Sequence, residues 1–459
     1  VGALTSKPYR FTARAWEMRN HELISPHDCL GSNLTVQSVA GEVKRVLPRD
    51  NEAVNECWLS DRDRFSYEAV NSSDRLIRPL VRKNDRMEEV TWEEALGTAA
   101  KELRQVVEHK GGAALGALAT PTATLEEFFL LQKLMRGLGS QHVDHRLRQQ
   151  DFRDDASAPL FPGIEIPVTQ IPKLSATLLV GCNLQKELPL VAMRLRQLTQ
   201  IGGKAAVLNP LRYGFNGYLE EEWIVPPQQM PPALASIALQ LAKQRNLQVP
   251  PEIEKLASLV VGDAPAGKIA QMLGHANSEV LVVIGQIAAG HARAAELRAM
   301  ASWMGAHCGI RLAVLPDANG AAAWVAGCVP HREPGGKTVD VAGYDAARLV
   351  GALSGYVLYG LEPALDYARP DALHQALDNA DFVLSLSSFR SAVPLQATVA
   401  LPLAPFTENS GSYINVEGRV QFSNAAVAPQ GEARPGWKIL RVLANLMALE
   451  GFDYISVDE

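Results

Sequence analysis

The sequence predicts an α/β fold in which doubly wound parallel sheets follow a small β-rich segment. After residue 75, short apolar runs alternate with helical patterns of about 10–15 residues, which is typical of parallel βαβ units. Before residue 75, apolar and polar residues alternate over shorter stretches, as in half-buried strands. With 459 residues, 47% of them hydrophobic, the chain is long enough for roughly three domains.

The first segment, residues 1–75, carries short strand signals. Residues 33–39 and 42–47 each alternate apolar and polar side chains, and Gly41 lies in the turn between them. This pattern predicts a small β structure at the start of the chain.

Helix signals begin after this segment. Thr91 and Glu94 have the spacing of a capping box, in which each side chain reaches the backbone of the other residue. They predict a helix that ends at a glycine pair, followed by a buried strand at 113–120. Thr124 and Glu127 repeat the signature and begin a helix with one broad apolar face.

The remaining elements continue the alternation. We predict strands at 175–180, 204–208, 279–284, 311–315, 356–360 and 382–386, and helices at 189–201, 287–306, 318–327 and 371–380. Doubly wound sheets bind ligands at the carboxyl ends of their strands, which here fall in turns at 181–183, 209–210, 285–286 and 316–317. None of these turns is a GxGxxG motif. A glycine such as Gly181 allows close approach of a phosphate but also simply turns the chain, so both interpretations remain open.

Composition excludes several classes of protein. The formal net charge of -6, without a basic cluster, argues against nucleic acid as a partner. No apolar run reaches the ~18 residues of a membrane span, and we expect no signal peptide at the first residues. The scattered cysteines form no CxxC, so we expect no zinc site or disulfide framework, and a reducing compartment. They are Cys29, Cys57, Cys182, Cys308 and Cys328.

Two segments near the carboxyl end carry a family resemblance. Residues 397–402 read ATVALP, and residues 407–421 read TENSGSYINVEGRVQ. Their order resembles the signature of the molybdopterin oxidoreductase superfamily, an ADVVLP-like strand followed by E-x-x-G-T-x-x-N-x-E-G-R-x-Q. Residues 181–183 with Glu187, and residues 207–210, are similar to its pterin-dinucleotide domains. The resemblance implies two α/β domains of the molybdopterin oxidoreductase type, the second inserted into the first.

A further segment narrows this resemblance. Residues 1–17, VGALTSKPYRFTARAWE, with residues 46–49 and 60–65, are similar to the large iron–sulfur subunit of respiratory complex I. In that subunit the stretch follows a cluster-binding Cys-Pro, so we expect the [4Fe–4S] and [2Fe–2S] clusters of the parent subunit to lie in a region before this chain. The resemblance implies a complex that passes electrons from NADH through FMN and clusters to quinone, coupled to proton translocation. It implies the other hydrophilic-arm subunits as partners, and a peripheral location on the cytoplasmic or matrix side without membrane insertion.

The resemblance also locates a possible cluster site. Catalytic superfamily members, and some complex I subunits, hold a [4Fe–4S] cluster with a CxxCxxxC run and a later fourth cysteine. Those positions here are Ser25, Asp28, Ser32 and Ser60. Serine and aspartate are hard oxygen ligands that hold such clusters poorly. We therefore expect no cluster in this chain, and we expect Cys29 and Cys57 to be ordinary small core residues.

The loop that supplies the molybdenum ligand in catalytic relatives corresponds to residues 143–152. It has no cysteine, and its Asp and Arg content favours a salt-bridged loop. We expect the C-terminal β-barrel domain that completes cofactor binding to be missing or truncated. His142 and His145, three residues apart near a strand, would alternate faces rather than converge on a metal.

The signature segment, residues 407–421, has charged and amide side chains. We expect them to form a buried or interface hydrogen-bond network, with arginine pairing carboxylates bidentately, rather than a reactive site. They are Glu408, Asn415, Glu417 and Arg419.

The sequence thus predicts four parts. They are a cluster-less β-rich segment at 1–75, a first α/β domain from 76–140 and 332–447, an inserted second α/β domain at 141–331, and a tail at 448–459. We predict no catalytic, cofactor-binding or metal-binding residue and no cofactor in this chain, although the parent complex is an enzyme. Two alternatives stay open: an active molybdenum or tungsten oxidoreductase similar to formate dehydrogenase, and a nucleotide-binding module at the Gly181 and Asn209 turns.

Overall fold

The computed structural model describes residues 6–261, 265–274, 279–351 and 353–459. Its strands alternate with helices over most of the chain. The strands are β1 Arg19–Ile24, β2 Asn33–Val39, β3 Glu42–Pro48, β4 Leu80–Lys83, β5 Arg86–Glu89, β6 Leu115–Ala119, β7 Val143–Asp144, β8 Ala176–Val180, β9 Lys204–Asn209, β10 Glu221–Ile224, β11 Val280–Ile284, β12 Arg311–Val314, β13 Gly355–Tyr359, β14 Phe382–Ser387, β15 Val399–Pro402, β16 Gly411–Ile414 and β17 Val420–Ser423.

The α-helices vary from single turns to nineteen residues. They are α1 Asp61–Phe65, α2 Tyr67–Val70, α3 Trp92–Lys110, α4 Leu125–Gly137, α5 Leu184–Glu187, α6 Pro189–Gln200, α7 Met230–Gln244, α8 Pro251–Ala257, α9 Ala266–Gly274, α10 Gln286–Ala289, α11 Ala294–Cys308, α12 Gly320–Val325, α13 Ala346–Leu349, α14 Pro363–Asp366, α15 Pro370–Asp378 and α16 Gly436–Leu446.

The first sheet joins strands from both halves of the chain, in the order β5-β4-β15-β14-β13-β6-β7. Its strands from β15 to β7 are parallel, whereas β4 and β5 add an antiparallel edge that the sequence did not predict. Val357 and Tyr359 of β13 pack in one core with α3, α4 and α16. Tyr356 and Leu358 pack in a second core on the opposite face. Burial on both faces is what a parallel sheet requires.

The second sheet is wholly parallel, in the order β10-β9-β8-β11-β12. Leu178 and Val180 of β8 face a core shared with α7, α9 and α11, and Leu179 faces the core of α6. The predicted class, doubly wound α/β with a small β-rich start, is confirmed. That start is the antiparallel sheet β1-β2-β3, in which β1 was not predicted.

The two predicted capping boxes have different outcomes. Thr124 accepts from the Glu127 amide, and the Glu127 carboxylate accepts from the Thr124 amide, so the box is complete. Thr91 accepts from the Glu94 amide at 3.3 Å, but the Glu94 carboxylate pairs with Lys83 instead. The second half of that box was therefore predicted wrongly.

Two further helix predictions differ from the structure. The predicted helix at 287–306 is divided into α10 and α11, because the chain turns at Gly290. The helices α7, α8 and α9 were not predicted. The first of them has Pro231 and Pro232 in its first turn, where a missing N–H costs no intrahelical hydrogen bond.

Candidate functional site

A cavity of about 500 Å³ opens where β11 and β12 end. Gln286 follows β11, Asp317 follows β12, and the loop after β7 contributes Arg146 and Arg148 to the lining. Doubly wound sheets bind ligands at this edge, so the cavity is the candidate site of the second sheet.

The loop after β7 is fixed by a buried ion network. The guanidinium of Arg146 donates Nε and Nη2 to Asp144, both at 2.9 Å, and Nη1 and Nη2 to Asp155 at 2.6 and 3.1 Å. Asp144 is 0% exposed and Arg146 is 8% exposed. Burial alone would raise the pKa of Asp144, but Arg146 outweighs burial and holds this pKa below its usual value.

The same loop is anchored to helix α11. Asp151 accepts from Arg153 and from the backbone amide of Ala295 at 2.9 Å, and its pKa falls to about 2 because these bonds outweigh its burial. Arg298 on α11 donates to Asp154. The prediction of a salt-bridged loop is confirmed, and these arginines are occupied by carboxylates.

The two histidines beside this loop have structural contacts. His145 is buried, its Nδ1 lies 2.9 Å from the carbonyl of Cys328, and burial lowers its pKa to about 4. His142 stacks on the Tyr344 ring at 4.3 Å and accepts from the Tyr344 amide. Across the described residues, no group of three or more His, Cys, Asp or Glu side chains is placed to hold a metal ion.

A carboxylate occupies the backbone donors at the ends of β8 and β11. Glu187 accepts from the Asn183 amide at 2.7 Å and from the Gln286 amide at 3.0 Å. Burial raises the pKa of Glu187, and the nearby Asp317 raises it further. An internal carboxyl group therefore already uses two amides that face this edge of the sheet.

The Gly181 turn is explained by packing. Its φ is +57°, and a Cβ there would lie 2.5 Å from the Ala288 amide nitrogen, so only glycine fits. Asn209 closes the turn by accepting from the Cys182 amide and donating to the Cys182 carbonyl, both at 2.9 Å. Of the two open interpretations, the plain turn accounts for every one of these contacts. A cavity of about 290 Å³ remains beside it.

The strand ends of the first sheet form an acidic crevice of about 270 Å³. Among the described residues, its lining includes Glu127, Glu362 and Asp366 but no lysine or arginine. Burial raises the pKa of Glu362, and the Asp366 carboxylate adds to this shift. A phosphate group in this crevice would therefore find no lysine or arginine among the described lining residues to pair with.

The four positions that correspond to the cluster cysteines of relatives are all buried, but their side chains do not fit an iron–sulfur cluster. Ser25, Asp28, Ser32 and Ser60 are 1%, 7%, 0% and 4% exposed. They offer hydroxyl and carboxylate oxygens instead of thiolates. Cys29 is buried, which raises the pKa of its thiol and agrees with a core residue. Cys57 is exposed, so the prediction of a core position is wrong there.

The signature segment forms braces between parts of the fold. Arg75, which the sequence did not single out, forms a bidentate salt bridge with Glu408, with both N–O distances 2.8 Å. Glu417 accepts from the Val168 amide at 2.6 Å. Arg419 is 47% exposed and lies 3.9 Å from Glu417, so it forms no bidentate pair. The predicted network is confirmed for Glu408 and is wrong for Arg419.

Asn415 holds the β16–β17 turn. Its side-chain oxygen accepts from the amides of Glu417 and Arg419 at 3.0 and 2.9 Å, and its nitrogen donates to the Leu30 carbonyl. This residue therefore links the hairpin to the loop between β1 and β2.

Comparison with models of protein families assigns the two sheets and the signature segment to a family. A model of the molybdopterin oxidoreductase family matches residues 75–446, and the chain belongs to that family. A second model, described as NADH-ubiquinone oxidoreductase NDSU1/NuoG-like, 4Fe-4S domain, matches residues 18–68.

Within this family the chain is similar to one kind of respiratory protein. It is 29% identical over 457 residues to the G-type subunit of NADH-quinone oxidoreductase from Rickettsia felis, covering 99% of this chain and 60% of the relative. It is 28% identical to the mitochondrial NADH-ubiquinone oxidoreductase 78 kDa subunit of Candida albicans, covering 97% and 55%. The chain thus spans about 60% of the length of the curated relatives it matches first.

One solved structure supports the fold. Acetylene hydratase from Pelobacter acetylenicus superposes with a TM-score of 0.67 at 15% identity, covering 94% of this chain and 70% of that one. This likeness concerns the fold alone.

In the part of the chain that is described, no helix is long and apolar enough to cross a membrane.

Proposed function

We propose that this chain is a non-catalytic, structural region of the large iron–sulfur subunit of an NADH-quinone oxidoreductase. The observation that carries the proposal is the similarity to the Rickettsia felis protein over 99% of the chain. The parent complex would pass electrons from NADH through FMN and iron–sulfur clusters to quinone, coupled to proton translocation. This region would contact the other hydrophilic-arm subunits and lie peripherally on the cytoplasmic or matrix side of the membrane.

The proposal includes the absence of chemistry in this chain. We assign it no catalytic, cofactor-binding or metal-binding residue, and we place the clusters of the parent subunit outside it. We also propose the division into 1–75, 76–140 with 332–447, 141–331 and 448–459, with the boundary near 141 moved past β7, because β7 pairs with β6 of the first sheet. The arginine–carboxylate pairs of the loop after β7 support a bracing role. Residues 143–152 also contain no cysteine that could serve as a soft ligand for molybdenum. An active molybdenum or tungsten oxidoreductase is therefore not favoured.

Two measurements test this function. The full-length subunit, tagged at its own gene and purified from membranes, is expected to retain NADH-quinone oxidoreductase activity with its partner subunits. This chain alone, purified anaerobically, is expected to contain no stoichiometric iron, molybdenum or tungsten and no absorption band near about 400 nm. A cluster protein purified in parallel controls for metal loss. Purification of the tagged subunit without these partners, or stoichiometric metal in the chain, would contradict the proposal.

A nucleotide-binding module is the second candidate function, because the cavity beside Asn209 remains open. Any ligand that binds the folded state must stabilise it, so the melting temperature reports binding. We expect guanine nucleotides at millimolar concentration to raise the melting temperature of the chain by less than about 1 °C. The expectation rests on Glu187, which already occupies the amides of Asn183 and Gln286. A saturable rise of several degrees would favour the nucleotide module instead.

A further inference from the structure

Two of the four cluster positions converge on a single carboxylate. Ser25 lies just after β1, and Ser60 immediately precedes α1. The hydroxyl of Ser25 donates to Oδ1 of Asp63, and the hydroxyl of Ser60 donates to Oδ2 of the same residue at 2.9 Å. Asp63 is 0% exposed. The side chain therefore joins two parts of the chain that are thirty-five residues apart in sequence.

The backbone reinforces this junction. The Asp63 amide donates to the Ser60 hydroxyl oxygen at 3.0 Å, which makes Ser60 the N-cap of α1. The Ser25 hydroxyl oxygen in turn accepts from the amide of His27 at 3.1 Å. Each hydroxyl thus donates its only proton to Asp63 and accepts from a backbone amide. These contacts use the donor and one acceptor site of both hydroxyls.

Asp28, at a third cluster position, lies in the same electrostatic environment. Its Oδ1 accepts from the amide of Leu30 at 3.0 Å, which closes the loop between β1 and β2. Burial and the neighbouring Asp63 raise the pKa of Asp28 to about 7.

We propose that Asp63 replaces the iron–sulfur cluster as the cross-link of residues 18–68. A cluster would tie its four ligand positions together through metal–sulfur bonds. Here the Asp63 carboxylate ties Ser25 to Ser60 through two charge-assisted hydrogen bonds, which are among the stronger ones in proteins. The segment that matches a 4Fe-4S domain keeps its fold without a cluster because this carboxylate holds it. This role belongs to the fold of the segment and goes beyond the proposed place in a respiratory complex.

Hydrogen exchange on the full chain tests the proposal, with Asp63→Asn and Asp61→Asn as a matched pair. Both residues lie in the first turn of α1, but Asp61 is exposed. In Asp63→Asn, we expect amide exchange of residues 25–33 and 60–66 to become about tenfold faster or more, because the two buried hydrogen bonds from Ser25 and Ser60 lose their carboxylate acceptor. In Asp61→Asn, we expect less than about a twofold change at the same amides.

A coupling measurement separates a cross-link from general destabilisation. In the wild-type background, Ser25→Ala should accelerate amide exchange of residues 60–66. In the Asp63→Asn background, it should add less than about a twofold change, because the carboxylate that accepts from Ser25 is already gone. Equal exchange rates in Asp63→Asn and Asp61→Asn would overturn the proposal. So would an effect of Ser25→Ala on exchange that is the same in both backgrounds. Stoichiometric iron, magnesium or calcium that is lost in Asp63→Asn would overturn it too, because Asp63 would then be a metal ligand.

Discussion

Arg75→Met is expected to lower the free energy of unfolding by about 3–5 kcal/mol, because it leaves a buried carboxylate without its cation. Two nitrogens of Arg75 donate to Glu408 at 2.8 Å, and the two side chains are 1% and 3% exposed. Nη1 also donates to the Val70 carbonyl at 2.9 Å. The substitution therefore releases the end of the first segment from the chain that precedes β16. Denaturant unfolding followed by tryptophan fluorescence measures the loss.

The control for this prediction is the neighbouring arginine. Arg78 is 58% exposed and lies 3.3 Å from Glu89, so Arg78→Met should cost less than about 1 kcal/mol. Combining Arg75→Met with Glu408→Leu should cost less than the sum of the two single changes, because no unpaired charge stays buried. If Arg75→Met is no more harmful than Arg78→Met, the buried pair does not brace the fold.

The parts of the fold that could be predicted from the sequence depend on local signals. Thr124 and Glu127 are three residues apart, and the same short stretch of chain determines both their sequence pattern and their contacts. Most of the parallel strands were found for a similar reason, since each is a short apolar run between helical patterns. The parallel strand β10, Glu221–Ile224, was not predicted because two of its four residues are glutamates. Glu94 shows the limit of this reasoning, because a partner from β4, Lys83, takes the carboxylate that the local pattern assigned to the backbone.

The bracing contacts could not be predicted, because their partners are far apart in sequence. Arg75 and Glu408 are 333 positions apart, and nothing in the residues around Arg75 indicates its partner. The resemblance located Ser25 and Ser60 but gave no reason to examine Asp63, which has no place in a cysteine spacing. Glu187 was noticed only as part of the resemblance. Its role as an internal acceptor depends on Gln286, which the sheet order β8-β11 brings beside it.

Asp144→Asn is expected to have an effect of similar size in the loop after β7, about 3–5 kcal/mol, because it removes one of two carboxylates that compensate a buried guanidinium. Asp144 accepts from Nε and Nη2 of Arg146 and from the backbone amides of His145, Arg146 and Ala346. An asparagine keeps one acceptor but turns a donor toward these N–H groups. The loop should then detach from α13, and denaturant unfolding should measure the loss.

The pH dependence and a matched control identify the charge as the cause. Arg146 holds the folded pKa of Asp144 below its unfolded value, so the stabilisation is complete above the unfolded pKa and is lost as pH falls through the folded one. The difference between wild type and Asp144→Asn should therefore shrink below about pH 4. Asp381, whose side chain is 54% exposed and pairs with Lys110 at 2.6 Å, is the control. Asp381→Asn should cost less than about 1 kcal/mol. A loss for Asp144→Asn that matches this control, or that does not change with pH, would show that the network contributes through shape rather than charge.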